Sequence, residues 1–211
     1  SYSQYKSTIS STTLNDRSSS IGGFNGGLDF TYFMGKNDLK YGLEVEGYRT
    51  EYLLTNFVGA KIEQTENTTQ LGAYVKYKAI LGKFIIEPGF RVQWYASLAE
   101  MSPEPRLAIK YNVSNNFRLK FAGGFYSQNF IAATSDRDVV NLFSGIISGP
   151  TNLPNTYNGE DINSKLQKSR HAILGAEWDL NHNLSLNLEG YYKYFPQLTN
   201  INRFKIYDDN N

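Results

Sequence analysis

FIIEPGFRVQWYASLAEMSPEPRLAIKYNVSNNFRLKFAGGFYSQ, residues 84–128, holds three alternating runs joined by one medium connection and one very short turn. In the first run Phe84, Ile86, Pro88, Phe90, Val92 and Trp94 share one face, while Glu87, Gly89, Arg91, Gln93 and Tyr95 share the other. In the second, Leu107, Ile109, Tyr111 and Val113 oppose Arg106, Ala108, Lys110 and Asn112. In the third, Phe117, Leu119, Phe121 and Phe125 oppose Arg118, Lys120, Gly124 and Tyr126. A period of two over this length predicts β-strands with one apolar and one polar face. The fold then turns on which apolar medium the first face meets.

The same pattern recurs on both sides of this stretch. Upstream, Phe24, Leu28, Phe30, Tyr32 and Met34 oppose Asn25, Asp29 and Thr31; Leu39, Tyr41, Leu43 and Val45 oppose Lys40, Glu44 and Glu46. Leu71, Ala73, Val75, Tyr77 and Ala79 oppose Gln70, Tyr74, Lys76 and Lys78. Downstream, Ala172, Leu174, Ala176, Trp178 and Leu180 oppose His171, Gly175, Glu177 and Asp179; Leu184, Leu186, Leu188, Tyr192 and Tyr194 oppose Ser185, Asn187, Glu189 and Lys193. Short turns are expected at Gly35–Asp38, Leu81–Lys83, Ser114–Asn116 and Asn181–Asn183. Longer loops are expected at Leu14–Ser20, Leu53–Glu66, Ala99–Pro103 and Asn129–Lys165, with a loop-like tail to Asn211. In an up-and-down arrangement every short turn falls on one rim and every longer loop on the other, as in outer-membrane barrels. Runs of roughly 10 to 16 residues can cross a bilayer when tilted, whereas globular strands average about 5 to 6. Tyr32, Tyr41, Tyr77, Phe84, Tyr111 and Phe117 gather near the turns, and Trp94, Phe125, Tyr192 and Tyr194 towards the loops, as two aromatic girdles would. A soluble sandwich would show the same alternation with the apolar face as its core. Strand length and the unequal connections favour lipid.

Composition narrows the function classes. The 211 residues include 16 Tyr, 13 Phe and no Cys, and the net charge is +1. Disulfides, Cys metal sites and thiol nucleophiles are thereby excluded, and no electrostatic case exists for nucleic acid. The chain starts without a recognisable signal peptide and has no apolar run of about 18 residues, so no transmembrane helix is expected. A mean hydropathy of −0.45 leaves barrel strands open, because only half of their residues are apolar.

Glu104-Pro105-Arg106-Leu107, Tyr111, the Ser114-Asn115-Asn116 turn, Leu119-Lys120 and Gly124-Phe125-Tyr126-Ser127-Gln128, in that order and spacing, resemble the barrel of TonB-dependent outer-membrane receptors. Pro88-Gly89-Phe90-Arg91 is similar to that family's "xxGxR" strand. Leu174-Gly175-Ala176-Glu177-Trp178 through Leu188-Glu189-Gly190-Tyr191-Tyr192-Lys193 is similar to its "LGxE…EaYYK" hairpin, in the style seen among Bacteroidota. The resemblance covers roughly Ile21 to Phe195. It implies an all-β, antiparallel up-and-down transmembrane β-barrel, of which residues 1–211 form one segment: about nine strands of a larger, 22-stranded type, with no plug domain. Nine strands alone would leave two open edges in lipid, so the rest of the barrel is expected elsewhere. The implied function is import of a nutrient ligand (siderophore, glycan, peptide or vitamin) across the outer membrane of a Gram-negative bacterium. Implied partners are outer-membrane lipid, the remaining barrel and plug, the TonB complex and a surface lipoprotein. Two alternatives stand beside it: a complete small barrel acting as a passive pore or adhesin, with its first strand paired to its last, and a secreted β-sandwich binding module with strands half as long.

No catalytic constellation is present, so no enzymatic activity, cofactor or metal is expected. His171 and His182 read as solvated or hydrogen-bonded, since neither has a partner at metal spacing. Glu44 and Glu46 read as a wet wall, and Asp136-Arg137-Asp138 with Asp161 lacks the spacing of a Ca²⁺ loop. Asn67, Asn112 and Asn183 match a glycosylation pattern by chance. The resemblance places substrate towards the loop rim, where Arg91, Tyr95, Arg106, Tyr126 and Gln128 lie on the polar face. Arg forks recognise carboxylate or phosphate, and Tyr rings stack on sugars or aromatic ligands. The competing expectation, and the favoured one, is that these arginines pair with Glu87 and Glu104, or with the plug, and only hold the wall together.

Overall fold

Period-two sequences need ladder partners, and in the computed structural model each run finds them in its chain neighbours. Residues 1–9, 17–55, 59–133, 145–148, 156–157, 159–162, 164–181 and 183–198 are described. The strands are β1 (Tyr2–Ile9), β2 (Arg17–Met34), β3 (Asn37–Thr55), β4 (Lys61–Leu81), β5 (Phe84–Tyr95), β6 (Glu100–Asn112), β7 (Phe117–Gln128), β8 (Phe130–Ala133), β9 (Gly145–Ser148), β10 (Thr156–Tyr157), β11 (Glu160–Asp161), β12 (Gln167–Asn181) and β13 (Leu184–Gln197). One sheet of 9 strands runs β1-β2-β3-β4-β5-β6-β7-β12-β13, every pair antiparallel. Two small sheets pair β8 with β9 and β10 with β11. Among the described residues β1 pairs only with β2 and β13 only with β12, so the sheet is open. That excludes closure of these strands on themselves among those residues, and a single long-stranded sheet is not a sandwich of two packed sheets.

The register aligns the apolar faces into one belt. Leu28 opposes Leu43, Leu43 opposes Ala73, Ala73 opposes Val92, and Leu174 opposes Phe121 and lies next to Gly190. Outward apolar stretches run Phe24–Met34, Leu71–Leu81, Phe84–Trp94 and Leu184–Tyr194, each spanning about 33 Å along the strand at ~3.3 Å per residue. With a barrel tilt of about 40°, that is close to the ~25 Å height of a lipid-facing band. These side chains are exposed rather than cored: Leu28, Leu43 and Leu174 are 62%, 61% and 67% accessible. Near the turns, aromatic pairs brace the belt across strands, Phe30 on Tyr41 at 5.3 Å, Phe84 on Tyr111 at 4.5 Å and Phe117 against Trp178 at 6.5 Å. Such cross-strand ring pairs each contribute up to about 1 kcal/mol.

The turn rim is built as the residues predict. Gly35-Lys36 and Gly82-Lys83 are two-residue turns, with φ of 64° and 60° at the glycines; a positive φ at the first turn position is what Gly supplies in such hairpins. At Ser114–Asn116 the Ser114 Oγ accepts hydrogen bonds from the Asn116 and Phe117 amides. The Asn181 side chain accepts from Asn183 N.

The opposite rim corrects several expectations. The loop expected at Leu53–Glu66 is mostly strand: β3 continues to Thr55 and β4 starts at Lys61, so both overrun β5 by nearly half their length. Above Gly47 and Leu71 the outward face turns polar, with Arg49, Glu51, Glu63, Thr65 and Asn67 exposed, while Thr50, Tyr52, Leu54 and Thr68 on the other face are buried, so the outward-apolar pattern fades while the ladder continues. The loop expected at Ala99–Pro103 is a single 3₁₀ turn, Ala96–Leu98, closed by Ala99 at φ 52°. Pro103 and Pro105 then lie inside β6. Lacking N–H groups they give nothing to a second ladder, and β6 pairs with β7 only from Arg106 downward. β2 starts at Arg17, inside the loop expected at Leu14–Ser20, and β13 runs to Gln197, inside the expected tail. The expected irregular region Asn129–Lys165 holds the short strands β8 to β11, and β9 lies beside β2, β3 and β4. Residues 10–16, Asp136-Arg137-Asp138, His182 and 199–211 lie outside the described residues.

Candidate functional site on the inner face

Every second residue of these strands points away from the belt, and cations and carboxylates alternate there in ion pairs. The glycines show how the pairs reach one another. Gly72 of β4 lies between Glu44 of β3 and Gln93 of β5, and a Cβ there would meet Glu44 Oε1 at 2.5 Å. The absence of a side chain lets Glu44 pass over β4 to its ion pair with Arg91 on β5. Gly42 does the same for Tyr74, whose hydroxyl donates to Asp29 at 2.5 Å across β3. Nearer the turn rim, Arg118 bridges Glu177 and Asp179, both at 2.5 Å, and Lys120 also pairs with Glu177. Lys76 pairs with Glu87 at 2.9 Å.

Towards the loop rim the missing β6–β7 ladder is replaced by a side chain. Glu104, 3% accessible, accepts hydrogen bonds from Ser127 N at 2.9 Å and Ser127 Oγ at 2.8 Å, and pairs with Arg106 at 2.7 Å. The prolines on either side of Glu104 break the backbone ladder, and the carboxylate supplies the acceptor that β6 withholds. Tyr95 Oη lies 3.0 Å from Ser127 Oγ on the same cluster. A second carboxylate repeats the device: Glu100 accepts from Ser164 Oγ at 2.8 Å and Lys165 N at 2.6 Å, tying the start of β12 to the β5–β6 connection.

The five ligand candidates, Arg91, Tyr95, Arg106, Tyr126 and Gln128, line one hollow of about 270 Å³. Their roles differ. Arg91 donates to Gln93 at 2.8 and 3.0 Å besides pairing with Glu44, and Gln93 passes the chain on to Gln70 at 3.2 Å. The Arg106 guanidinium lies over the Tyr126 ring at 4.6 Å, and Tyr126 packs on His171 at 4.6 Å. Tyr95 is 2% accessible and holds the wall. Gln128 is exposed and donates to Phe130 O at 2.9 Å. The expected pairing of Arg91 with Glu87 is corrected: Arg91 takes Glu44, Glu87 takes Lys76, and only Arg106–Glu104 forms as expected. Sequence reading missed Tyr48, Gln70, Gln93, Asn129 and Phe130 in this hollow; the inner-face parity of Gln70 and Gln93 was their visible signal. Tyr48 meets Phe130 edge-on at 5.0 Å.

The bridge over Gly72 gives a direct prediction. Gly72→Val is expected to cost about 1–3 kcal/mol by displacing Glu44 from a half-buried charged partner. In a double-mutant cycle with Glu44→Gln the two costs should fall well short of adding; additive costs in denaturant unfolding of the full-length protein would contradict the bridge.

No family model matches the chain, and no curated protein does. The sheet superposes on the crystal structure of a mutant ferric enterobactin receptor from Pseudomonas aeruginosa, solved in complex with enterobactin, with a TM-score of 0.51 and 11% sequence identity. The match covers 83% of this chain and 27% of that one, so the chain spans about a quarter of the length of its structural neighbour. At this identity the likeness concerns the fold alone: an all-β antiparallel sheet of 9 strands, open among the described residues.

Proposed function

We propose that this chain is a barrel segment of a TonB-dependent outer-membrane receptor that imports a nutrient ligand into the periplasm. One observation carries the reading: an open sheet of 9 strands turns a continuous apolar belt outward and a lattice of ion pairs inward. Open edges in lipid are not viable alone, because unpaired backbone groups cost several kcal/mol each there, so further strands must complete the barrel. The superposition on about a quarter of a siderophore receptor supports the same arrangement. Within it the polar hollow at the loop rim is where a ligand entering from outside would first meet the wall. The 22-stranded size, the plug, the TonB complex and a surface lipoprotein as partners belong to this proposal.

The test is uptake by cells carrying the full-length protein. Among a ferric siderophore, a vitamin, an oligosaccharide and a short peptide, each radiolabelled, at least one should accumulate only with the protein present. A protonophore should abolish that uptake, since such import is energised. Protein-dependent uptake that survives the protonophore would establish a passive pore and overturn the importer.

A further inference from the structure

Lys168 and Arg170 stand on the outward face of β12, in the same parity as Ala172, Leu174, Ala176 and Trp178. Arg170 opposes Phe125 on β7 and Tyr194 on β13. Its guanidinium lies over both rings, 5.2 Å from the centre of Phe125 and 5.9 Å from that of Tyr194. From Leu180 to Arg170 the strand rises about 33 Å, or roughly 25 Å along a barrel axis at a tilt of about 40°, the full height of a lipid-facing band. Both cations are exposed, and neither makes an ion pair or a side-chain hydrogen bond among the described residues. The other outward arginine near this height, Arg49, is neutralised by Glu51 at 3.0 Å. Two unpaired cations two residues apart, one of them held sideways by two half-exposed rings, therefore face the headgroup layer with no counter-charge among the described residues.

We propose that Lys168 and Arg170, with Phe125 and Tyr194 as walls, form a site for the phosphate of an outer-leaflet lipid headgroup. This rests on the reading that the belt faces a membrane. The rings hold the guanidinium in the plane of the interface, where its N–H groups meet a phosphate, while their apolar edges lie against acyl chains.

Lipid A retained by the full-length protein in detergent, separated from free lipid by size exclusion, measures the site. A membrane-proximal cation contributes roughly a factor of five in association, so the Lys168→Gln/Arg170→Gln pair should weaken retention about twentyfold. Wild type should lose affinity for dephosphorylated lipid A to a similar extent, while Lys168→Arg/Arg170→Lys and Arg49→Gln stay within about twofold. The dephosphorylated-lipid arm uses wild type alone and so decides the matter even if a variant fails to fold. Equal retention of both lipids by wild type, unchanged retention by the glutamine pair, or displacement by inorganic phosphate alone overturns the lipid-phosphate site and leaves the membrane reading intact. Failure to retain either lipid overturns both.

Discussion

Replacing Leu174 by arginine is expected to destabilise the assembled full-length barrel in lipid by about 2–4 kcal/mol, the cost of a cation at mid-bilayer on the lipid face. Leu174 sits in the middle of the outward stretch of β12, 67% accessible, opposite Phe121 and beside Gly190. The sign of the effect separates two solvents. On a water-facing strand an exposed Leu→Arg change falls within about 0.5 kcal/mol of neutral, so a neutral outcome in vesicle unfolding would mean that the belt does not face lipid. Leu174→Phe, an apolar change at the same position, is expected to be tolerated.

The second large effect belongs to Glu104. Glu104→Ala removes two hydrogen bonds to Ser127 and the ion pair with Arg106 from a position only 3% accessible. Hydrogen bonds to charged groups contribute roughly 1.5–3 kcal/mol each, and the Ser127 amide would be left without its acceptor. Arg106 is partly exposed and can be rehydrated, which limits the loss from the ion pair. A total of about 3–4 kcal/mol is expected in equilibrium unfolding, with Glu104→Gln recovering part of it because an amide oxygen still accepts from Ser127. Equal costs for Ala and Gln would mean that charge pairing with Arg106, rather than the substitute ladder bond, is what holds this rim.

Much of this was legible in the chain. Which residues share a face, eight of the 9 strands of the main sheet and the four short turns follow from period-two alternation and turn chemistry. Apolar–polar alternation marks a strand only where its outward face is apolar, and for that reason Leu53–Glu66, which takes in the end of β3 and the start of β4, reads as a loop. Residues such as Thr65, Asn67 and Thr69 keep pairing through their backbone with β3, where polarity no longer alternates. Partner choice was hidden for a different reason. Glu87 and Arg91 share a face but lie four residues apart on one strand, about 13 Å, whereas Glu44 comes within reach only through the β3–β4–β5 register and the missing side chain at Gly72. The hollow was legible as five inner-face residues, but its neutral lining of Gln70, Gln93 and Asn129 required knowing how β4, β5 and the segment after β7 converge.

The central claim is that one face of this sheet lies in lipid with the short turns on the periplasmic side. Because the chain has no cysteine, single substitutions can report on each level in intact cells carrying the full-length protein, with any cysteine elsewhere removed. A membrane-impermeant maleimide should label Lys61→Cys at the loop rim at once, label Lys83→Cys at the turn rim only after the outer membrane is permeabilised, and leave Leu43→Cys in the belt unmodified in both conditions. Labelling of Lys83→Cys in intact cells as fast as Lys61→Cys, or ready labelling of Leu43→Cys, would contradict the account.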